Sequence, residues 1–332
     1  MKKHLKQVYR KSNQEDKTKY EYVLTQNERN YSLGEEFFTT FINSLDQKDI
    51  CFYPNTTELK DKICKFYNIK ESNLLLTPGS TFAIKTIFES FDVCCKNVIT
   101  SDYFFPMYQV FSDLYQAELK KASYSGMKLD IDKVIELIDK DTQFIILANP
   151  NSPLGDIYSK QTIIKLLETG VFVVIDEAYL EFTGEESSVP LINEYKNLIV
   201  TKTFSKAFGA AGCRAGFLVS HEDNLEYLSK FRSMYEINGI GVKYITYVMN
   251  NMKLFQDYFN EMRINKELFV KRLTDKGYSI INTDASWFYL KRYDKKDNLD
   301  KFNNLGMSFR TLILPDGEEY IKFNYDLKLK NL

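Results

Sequence analysis

The chain has 332 residues, and its 44 lysines and arginines nearly balance its 45 aspartates and glutamates, which leaves a formal net charge of -1. A charge this close to zero gives no electrostatic footprint for nucleic acid or an anionic membrane surface, so neither is an expected partner. The two histidines, His4 and His221, lie far apart in the sequence, which contains no H-E-x-x-H, Walker or G-x-G-x-x-G motif. The common zinc sites and most histidine-based triads are therefore excluded, and we expect no metal.

The longest apolar runs, FIILA and VFVVI, are too short to span a bilayer, and no signal-peptide core follows the basic N-terminal residues. Five cysteines occur at irregular spacing without a C-x-x-C pair, which favours free thiols in a reducing compartment. We therefore expect a cytoplasmic protein without a membrane partner. The length exceeds that of a typical single core, so two domains are expected.

In chain order, residues 53–220 alternate short apolar runs with segments of helical period. LLLT is followed by STFAIKTIFESF, NVIT by FPMYQVFSDLYQ, and FIILA by SKQTIIKLLET, before the runs VFVVI and NLIVT. This alternation predicts an α/β domain whose mostly parallel sheet is covered by helices on both faces. We assign this large domain to residues 31–222 and treat residues 1–30 as an N-terminal arm.

The character of the sequence changes beyond Asp223. Residues 224–236 and 242–273 have helical periodicity, and the strand-like pieces SWFYLKR and YIKFNY follow them. We predict a smaller α+β domain at residues 223–332, joined to the large domain by a long helix.

Polar and conformationally special residues gather where the predicted strands end, in TPGS, NPNSPLG, DEAY and TFSKAFG. Open α/β sheets bind ligands at this edge, beyond the carboxyl ends of their strands. Asp176 alone could simply be the polar turn that ends a strand. Lys206, however, is flanked by Phe204 and Phe208 and has no charged neighbour before Arg214, which indicates a sheltered lysine.

A carboxylate, a sheltered lysine and an arginine at strand ends suit pyridoxal phosphate, which carries a ring nitrogen, an aldehyde and a phosphate. Apolar surroundings favour the neutral amine of Lys206, the form that attacks the aldehyde. Asp176 is then the partner that keeps the ring nitrogen protonated. The phosphate needs amides at a helix N-terminus, hydroxyl donors and a cation. The candidates for these donors are Gly79, Ser80, Thr81, Ser205 and Arg214.

Four phrases of the chain resemble fold-type I pyridoxal-phosphate enzymes of the class I and II aminotransferase family. They are YP at 53–54, NPNSPLG at 149–155, VVIDEAYLEF at 173–182 and SKAFGAAGCRAGF at 205–217. Within that family they are similar to the branch that holds histidinol-phosphate aminotransferases and threonine-phosphate decarboxylases. The resemblance covers roughly residues 24–324 and implies an aspartate aminotransferase-like large domain with a smaller α+β domain.

The resemblance implies a role for each matching residue. Lys206 forms the Schiff base with the cofactor, Asp176 partners the pyridine nitrogen, and Tyr179 donates to the phenolic oxygen. Tyr108 matches the aromatic residue that stacks on the cofactor ring, and Tyr53 matches the tyrosine that reaches the phosphate in the neighbouring subunit. A homodimer with shared active sites is therefore implied. The other implied cofactor contacts are Gly79, Ser80, Thr81, Asn151, Ser152, Thr203, Ser205 and Arg214.

Three positions depart from the family pattern. Ser152 stands where the family often carries the asparagine that bonds the phenolic oxygen, and Asn151 either assists there or stabilises the turn. Lys322 stands where an arginine grips the substrate's α-carboxylate, while Arg310 matches an upstream arginine. Lysine is a point charge and arginine a planar fork. Because Trp287 also replaces the usual asparagine, we expect a rebuilt substrate site with Arg310 and Lys322 as its cations.

The leading hypothesis is a pyridoxal-phosphate-dependent aminotransferase acting on a small phosphorylated amine or amino acid. The second is a decarboxylase of serine phosphate or threonine phosphate, because the same cofactor residues serve both reactions. A phosphorylated amine without an α-carboxylate, such as histidinol phosphate, is a further alternative. A cofactor-binding protein without turnover is the last, and the sequence does not name the substrate or the pathway.

Overall fold

The computed structural model describes residues 4, 5, 8, 16–29, 33–292, 302 and 304–329. Part of the predicted arm at residues 1–30 lies outside these ranges, and the division at 31–222 and 223–332 stays a prediction. The strands of the described residues are β1 Tyr22–Val23, β2 Leu74–Thr77, β3 Asn97–Ser101, β4 Glu118–Ala122, β5 Tyr124–Ser125, β6 Lys128–Leu129, β7 Thr142–Ala148, β8 Phe172–Asp176, β9 Leu198–Thr203, β10 Gly216–Ser220, β11 Ile280–Asn282, β12 Trp287–Lys291, β13 Met307–Ser308, β14 Arg310–Ile313 and β15 Glu319–Asn324.

The α-helices of the same ranges alternate with the early strands, and the two longest follow one another between residues 239 and 275. They are α1 Glu35–Asn43, α2 Lys48–Cys51, α3 Thr57–Tyr67, α4 Ser80–Ser90, α5 Met107–Tyr115, α6 Ile131–Glu136, α7 Lys160–Leu167, α8 Glu222–Leu228, α9 Gly239–Asn250 and α10 Met252–Asp275. None of them is both long and apolar enough to cross a membrane.

The large sheet has the spatial order β2-β10-β9-β8-β7-β3-β4. Neighbouring strands run parallel except for β10, which is antiparallel to both β2 and β9. The predicted mostly parallel sheet is therefore confirmed. The carboxyl ends of β7, β8 and β9 lie next to one another, so the loops that follow them share one edge of the sheet.

The central strands are rich in isoleucine and valine because both faces of the sheet are covered by helices. Ile146 and Val174 join the core on the face of α4 and α5, whereas Ile145 and Ile175 join the core on the other face. All four residues are fully buried. Side chains alternate between faces along a strand, so Asp176 points to the same face as Val174.

The helical segment predicted at residues 224–236 is shorter in the structure, where α8 ends at Leu228. A 3-10 turn, Ser229–Phe231, follows, and Arg232 has extended backbone angles. The amide of Ser233 then donates to the Glu236 carboxylate at 2.8 Å, so a side chain takes the place of a helical carbonyl.

The helical periodicity at residues 242–273 corresponds to two helices in the structure. α9 and α10 are separated at Asn251, whose φ of -114° and ψ of 26° are not helical. The side-chain Nδ2 of Asn251 donates to the backbone carbonyl of Tyr247, four residues earlier, at 2.8 Å. This local side-chain bond competes with the helical backbone ladder.

The small sheet has the order β11-β12-β15-β14, and all its neighbouring strands are antiparallel. Helix α10 packs on it through Phe269, whose ring lies 6.0 Å from those of Phe288 and Phe323. Strand β1 pairs in parallel with β13. The segment that follows β1, residues 24–29, is thereby anchored to the C-terminal part of the fold.

Candidate active site

Asp176 is the last residue of β8. Its carboxylate is buried and accepts two hydrogen bonds. One comes from the hydroxyl of Thr201, its register partner on β9, at 2.8 Å, and the other from the hydroxyl of Tyr108 at 3.2 Å. Burial raises the pKa of Asp176 to about 6, although both hydroxyl donors act in the opposite direction. A buried carboxylate bonded by neutral hydroxyls suits a cationic ring nitrogen, which would provide the balancing charge.

Lys206 lies in the turn that follows β9, between the buried side chains of Phe204 and Phe208. Its Nζ donates to the backbone carbonyl of Gln26 at 2.7 Å and lies 5.6 Å from the centre of the Tyr179 ring. The lysine amine and the tyrosine ring therefore lie close together at the strand ends, a region we call the cleft, and the segment after β1 contacts the lysine there.

Gly79 precedes α4 with a φ of +81°, and Ser80 and Thr81 are the first residues of that helix. The Arg214 guanidinium lies against this glycine, because an added Cβ would come within 3.0 Å of Arg214 Nη2. Arg214 Nη1 also donates to Ser205 Oγ at 3.4 Å. The fold thus brings a helix N-terminus, a hydroxyl and a guanidinium together, a donor set that suits a phosphate.

A buried ion cluster lies directly behind the strand ends. Lys202 Nζ is 2.9 Å from a Glu177 oxygen and 3.0 Å from a Glu181 oxygen. Although burial opposes it, these carboxylates raise the pKa of Lys202 well above its usual value. On the same strand, Thr203 Oγ1 accepts from the Ser205 amide at 3.1 Å and fixes the turn that leads to the lysine of the cleft.

Asn151 is buried, and its side-chain amide bonds its own loop at one end and the loop after β3 at the other. Its Nδ2 donates to the carbonyl of Tyr103 at 2.8 Å, and its Oδ1 accepts from the amide of Leu154 at 2.9 Å. These bonds favour the turn-stabilising alternative for Asn151. The adjacent Ser152 is half-buried, and its hydroxyl makes no hydrogen bond within the described part of the chain.

The loop after β7 is fastened to the small sheet. Trp287 Nε1 donates to the carbonyl of Pro153 at 2.7 Å, and the Tyr289 hydroxyl donates to the same oxygen. The amide of Asp284 donates to the carbonyl of Gly155 at 3.1 Å. Consequently, the loop that carries Asn151 is fixed by both sheets.

Lys322 and Arg310 are directly opposite one another on β15 and β14. Lys322 is 7 % exposed, whereas Arg310 is exposed. Burial, followed by the charges of Lys206 and Arg310, lowers the pKa of Lys322 well below its usual value. Lys322 Nζ lies 3.7 Å from the centre of the Trp287 ring, and no carboxylate among the described residues pairs with Lys322 or Arg310.

The positions of two predicted site residues, Tyr108 and Tyr53, do not test the roles that the resemblance implies for them. Tyr108 is fully buried on α5 and reaches the site through its hydroxyl bond to Asp176, so ring stacking on the cofactor stays a prediction. Tyr53 is 77 % exposed, and its ring stacks on that of Tyr235 at 4.1 Å. Within the described residues it bonds none of the other predicted site residues, so its role also stays a prediction.

Two partners of the predicted site residues were not predicted from the sequence, and Asn27 directly follows one of them in the chain. Thr201 could have been found, because it is two residues before Thr203 on the same strand face. The Gln26 carbonyl could not, since a backbone acceptor carries no residue signature. Asn27 has a φ of 53°, is 5 % exposed, and its Oδ1 has no hydrogen-bond partner in the described residues.

Comparison with known sequences places the chain among enzymes of one family. The model of the family described as "Aminotransferase class I and II" matches residues 22–315. A histidinol-phosphate aminotransferase of Christiangramia forsetii is 30 % identical over 262 residues, which cover 77 % of this chain and 75 % of that protein. One from Clostridium novyi is 25 % identical over 320 residues, covering 95 % and 90 %.

Solved structures show the same fold. A histidinol-phosphate aminotransferase of Sinorhizobium meliloti, solved in complex with pyridoxal-5'-phosphate, has a TM-score of 0.84 at 16 % identity and covers 98 % of this chain and 92 % of its own. The L-threonine-O-3-phosphate decarboxylase of Porphyromonas gingivalis has a TM-score of 0.76 at 20 % identity, covering 92 % and 93 %. The chain therefore belongs to the class I and II aminotransferase family, which depends on pyridoxal phosphate, and has its aspartate aminotransferase-like fold.

Proposed function

We propose that the protein is an aminotransferase for a small phosphorylated amine or amino acid. The observation that carries this substrate class is the pair of Lys322 and Arg310, two basic side chains side by side without an acidic partner in the described residues. Like charges directly opposite on neighbouring strands repel each other. A substrate dianion such as a phosphate monoester would relieve that repulsion.

The residues of the cleft fit pyridoxal phosphate. Asp176 would hold its ring nitrogen and Tyr179 its phenolic oxygen, while Arg214, Ser205 and the start of α4 would hold its phosphate. Ser152, whose hydroxyl makes no hydrogen bond within the described residues, lies in the loop after β7. When bound, the cofactor supplies the electron-withdrawing ring that stabilises negative charge at the substrate's α-carbon.

Lys206 has two tasks in this proposal. Its Nζ would hold the cofactor at its aldehyde carbon, and once an amine substrate takes that place, the same Nζ would act as the general base that removes a proton from the substrate's α-carbon and as the general acid that returns it. The Gln26 carbonyl keeps Nζ in the cleft at 2.7 Å. The segment after β1 thereby both covers the cleft against water and orients the base.

The test is a screen of amino donors with matched phosphorylated and unphosphorylated members, such as phosphoserine and serine. Transamination should convert the yellow protein to its pyridoxamine form, and the phosphorylated member should react at a lower concentration. The variants Lys322→Met and Arg310→Gln should lose that preference. Equal concentration dependence for both members of a pair would contradict the phosphorylated substrate, and no conversion by any donor would contradict transamination.

A decarboxylase of a phosphorylated amino acid is the second candidate. The threonine-phosphate decarboxylase neighbour shares the fold, and Lys322 replaces the fork that an arginine would offer to an α-carboxylate. Carbon dioxide release from phosphoserine or phosphothreonine without consumption of a keto acid would identify this reaction. Transamination of the same compounds without carbon dioxide release would exclude it.

We also propose a cytoplasmic homodimer with shared active sites. Five exposed side chains form what we call the aromatic patch: Ile50, Phe52, Tyr53, Met234 and Tyr235. Each is more than half exposed, and two of them stack on one another. A contiguous apolar patch of this kind marks a protein interface. All five cysteines are free thiols, which fits a reducing compartment.

A further inference from the structure

We infer that Trp287 is a specificity-determining residue of this enzyme, because it positions the Lys322 ammonium for the anionic group of the substrate. The inference rests on the proposed function and deepens it: the ligand class is an oxyanion carried by the amine substrate. Trp287 acts through Lys322, so it is a positioning residue.

The register of the small sheet brings the two side chains together. Lys322 on β15 is directly opposite Tyr289 on β12, and Trp287 is two residues before Tyr289, on the same face. Trp287 and Lys322 are therefore diagonal neighbours, a separation that long and aromatic side chains bridge. The 3.7 Å distance from Lys322 Nζ to the indole centre shows that they do.

The indole is held on three sides. Its Nε1 donates to the carbonyl of Pro153 at 2.7 Å, its ring meets that of Tyr179 edge to face at 5.1 Å, and its face carries the lysine ammonium. Trp287 is fully buried. Because each side has a different partner, the ring cannot turn without losing a contact, and the ammonium above it has a defined place.

The partner of Lys322 is a ring and not a carboxylate, and this difference matters for binding. A carboxylate would neutralise the ammonium and occupy its donors, whereas an aromatic face attracts the charge more weakly and accepts no conventional hydrogen bond. Lys322 makes no hydrogen bond within the described residues. The ammonium is thus localised while its N–H donors stay available for an oxyanion.

Trp287 also joins the anion site to the cofactor site. The Tyr179 ring, which packs against the indole, has its centre 5.6 Å from Lys206 Nζ. Pro153, which accepts the indole N–H, belongs to the loop that carries Ser152. A ligand that binds the Lys322 ammonium therefore changes the contact between this ammonium and the Trp287 ring, which itself packs against Tyr179. The anion and the reacting amine of one substrate molecule are held by a single packed row of side chains.

The sequence provides an internal probe, since Trp287 is the one tryptophan of the chain. In the holoenzyme, whose cofactor phosphate fills the Arg214 site, titration with inorganic phosphate should change the Trp287 emission in a saturable way. A parallel titration with acetate distinguishes phosphate from carboxylate as the preferred oxyanion. The Lys322→Met variant keeps the fluorophore but removes the ammonium, so its saturable response should disappear.

The kinetic arm uses Tyr289→Phe as the matched control. Both Trp287 and Tyr289 donate to the Pro153 carbonyl, but only Trp287 contacts Lys322 through its ring. Trp287→Leu should raise KM for the amine substrate about tenfold with a smaller change in kcat, and Trp287→Phe, which keeps a ring face, should have an intermediate KM. Tyr289→Phe should keep the emission response and a KM close to that of the wild type.

Two results would overturn the inference. One is an emission response in Lys322→Met equal to that of the wild type, and the other is a KM for Tyr289→Phe raised as much as that for Trp287→Leu. The second result would reduce Trp287 to a brace for the loop. If phosphorylated amines are turned over but the change in Trp287 emission does not depend on Lys322, only the role of Trp287 is contradicted. If the emission change depends on Lys322 but no amine is turned over, the role of Trp287 is supported and the proposed transamination is contradicted.

Discussion

Asp176 is a buried carboxylate at the end of an otherwise apolar strand. Its two hydroxyl donors, Thr201 and Tyr108, satisfy the oxygens without neutralising a charge, so burial still raises its pKa to about 6. Cofactor-free protein therefore carries an electrostatic strain at neutral pH that a cationic ring nitrogen would relieve.

The variant Asp176→Asn should remove this strain. Between roughly pH 4 and pH 6 the folded carboxyl keeps a proton that the unfolded chain releases, so the unfolding free energy of the cofactor-free protein falls as pH rises, by about 3 kcal/mol. Urea unfolding at both pH values should show this component in the wild type and not in the variant. Transaminase activity should be lost in the variant, and an identical pH dependence in both proteins would contradict the assignment.

Lys322 offers a second test at the scale of a residue. Its pKa is lowered by burial and then by Lys206 and Arg310, so the folded protein binds fewer protons than the unfolded chain above the lowered value. The wild-type unfolding free energy consequently rises with pH up to the ordinary lysine pKa. Lys322→Met should raise it by about 1–3 kcal/mol at pH 7, and the gain should shrink toward pH 10.

The control for this measurement is Lys253→Met, because Lys253 is exposed and its ion-pair partner among the described residues is Asp257, one helical turn away. That variant should change the unfolding free energy little at any pH. A gain in Lys253→Met as large as in Lys322→Met would point to a general effect of removing positive charge.

At the scale of elements, the loop after β7 is where the two sheets meet. Gly155 has a φ of +86°, and an added Cβ would lie 2.7 Å from Thr283, which directly follows β11. Gly170 has a similar φ of +80° with nothing within 4 Å of an added Cβ. The two glycines therefore separate backbone strain from the contact between the loop and the small sheet.

Gly170→Ala should lower the unfolding free energy by about 1 kcal/mol through backbone strain alone. Gly155→Ala should lower it by about a further 1–3 kcal/mol, because the new methyl group displaces the Thr283 side chain. Denaturant unfolding of both variants measures the difference. Equal losses would mean that the loop and the small sheet separate without cost at this point.

The sequence predicted five of the seven strands of the large sheet and the residues at their ends, because buried parallel strands need continuous apolar runs and their loops need special residues; it did not predict the edge strand β4 or the antiparallel β10. It did not predict the break at Asn251, where one side-chain bond to Tyr247 outweighs an otherwise helical pattern. Contacts made by backbone groups, such as the Gln26 carbonyl on Lys206, leave no trace in the residue type. The position of Trp287 was noticed, but its bond to Pro153 depends on how the two sheets face each other.

At the scale of the whole molecule, the cleft and the aromatic patch make different demands. The cleft collects Lys206, Asp176 and Arg214 from one chain, whereas Tyr53 lies on the outer surface beside Tyr235. Apolar side chains as exposed as these are normally covered by a partner. In a two-fold dimer each chain buries the same surface against the other, so the Tyr53 of each chain would face the partner subunit, as a tyrosine shared between the two sites requires.

Mixed dimers test whether Tyr53 acts across the interface. Tyr53→Ala and Lys206→Ala should each be poorly active alone, but a heterodimer purified through two different tags would contain one site with both native residues. Its activity should recover to about half that of the wild-type dimer. If Tyr53 served its own chain's site, neither site of the heterodimer would be complete.

A heterodimer of Lys206→Ala and Asp176→Asn is the matched control, because both residues belong to one chain's cleft and no native site can form. Recovery in that control would show that the two chains exchange more than Tyr53, and the absence of recovery in the test pair would place Tyr53 outside the partner's site.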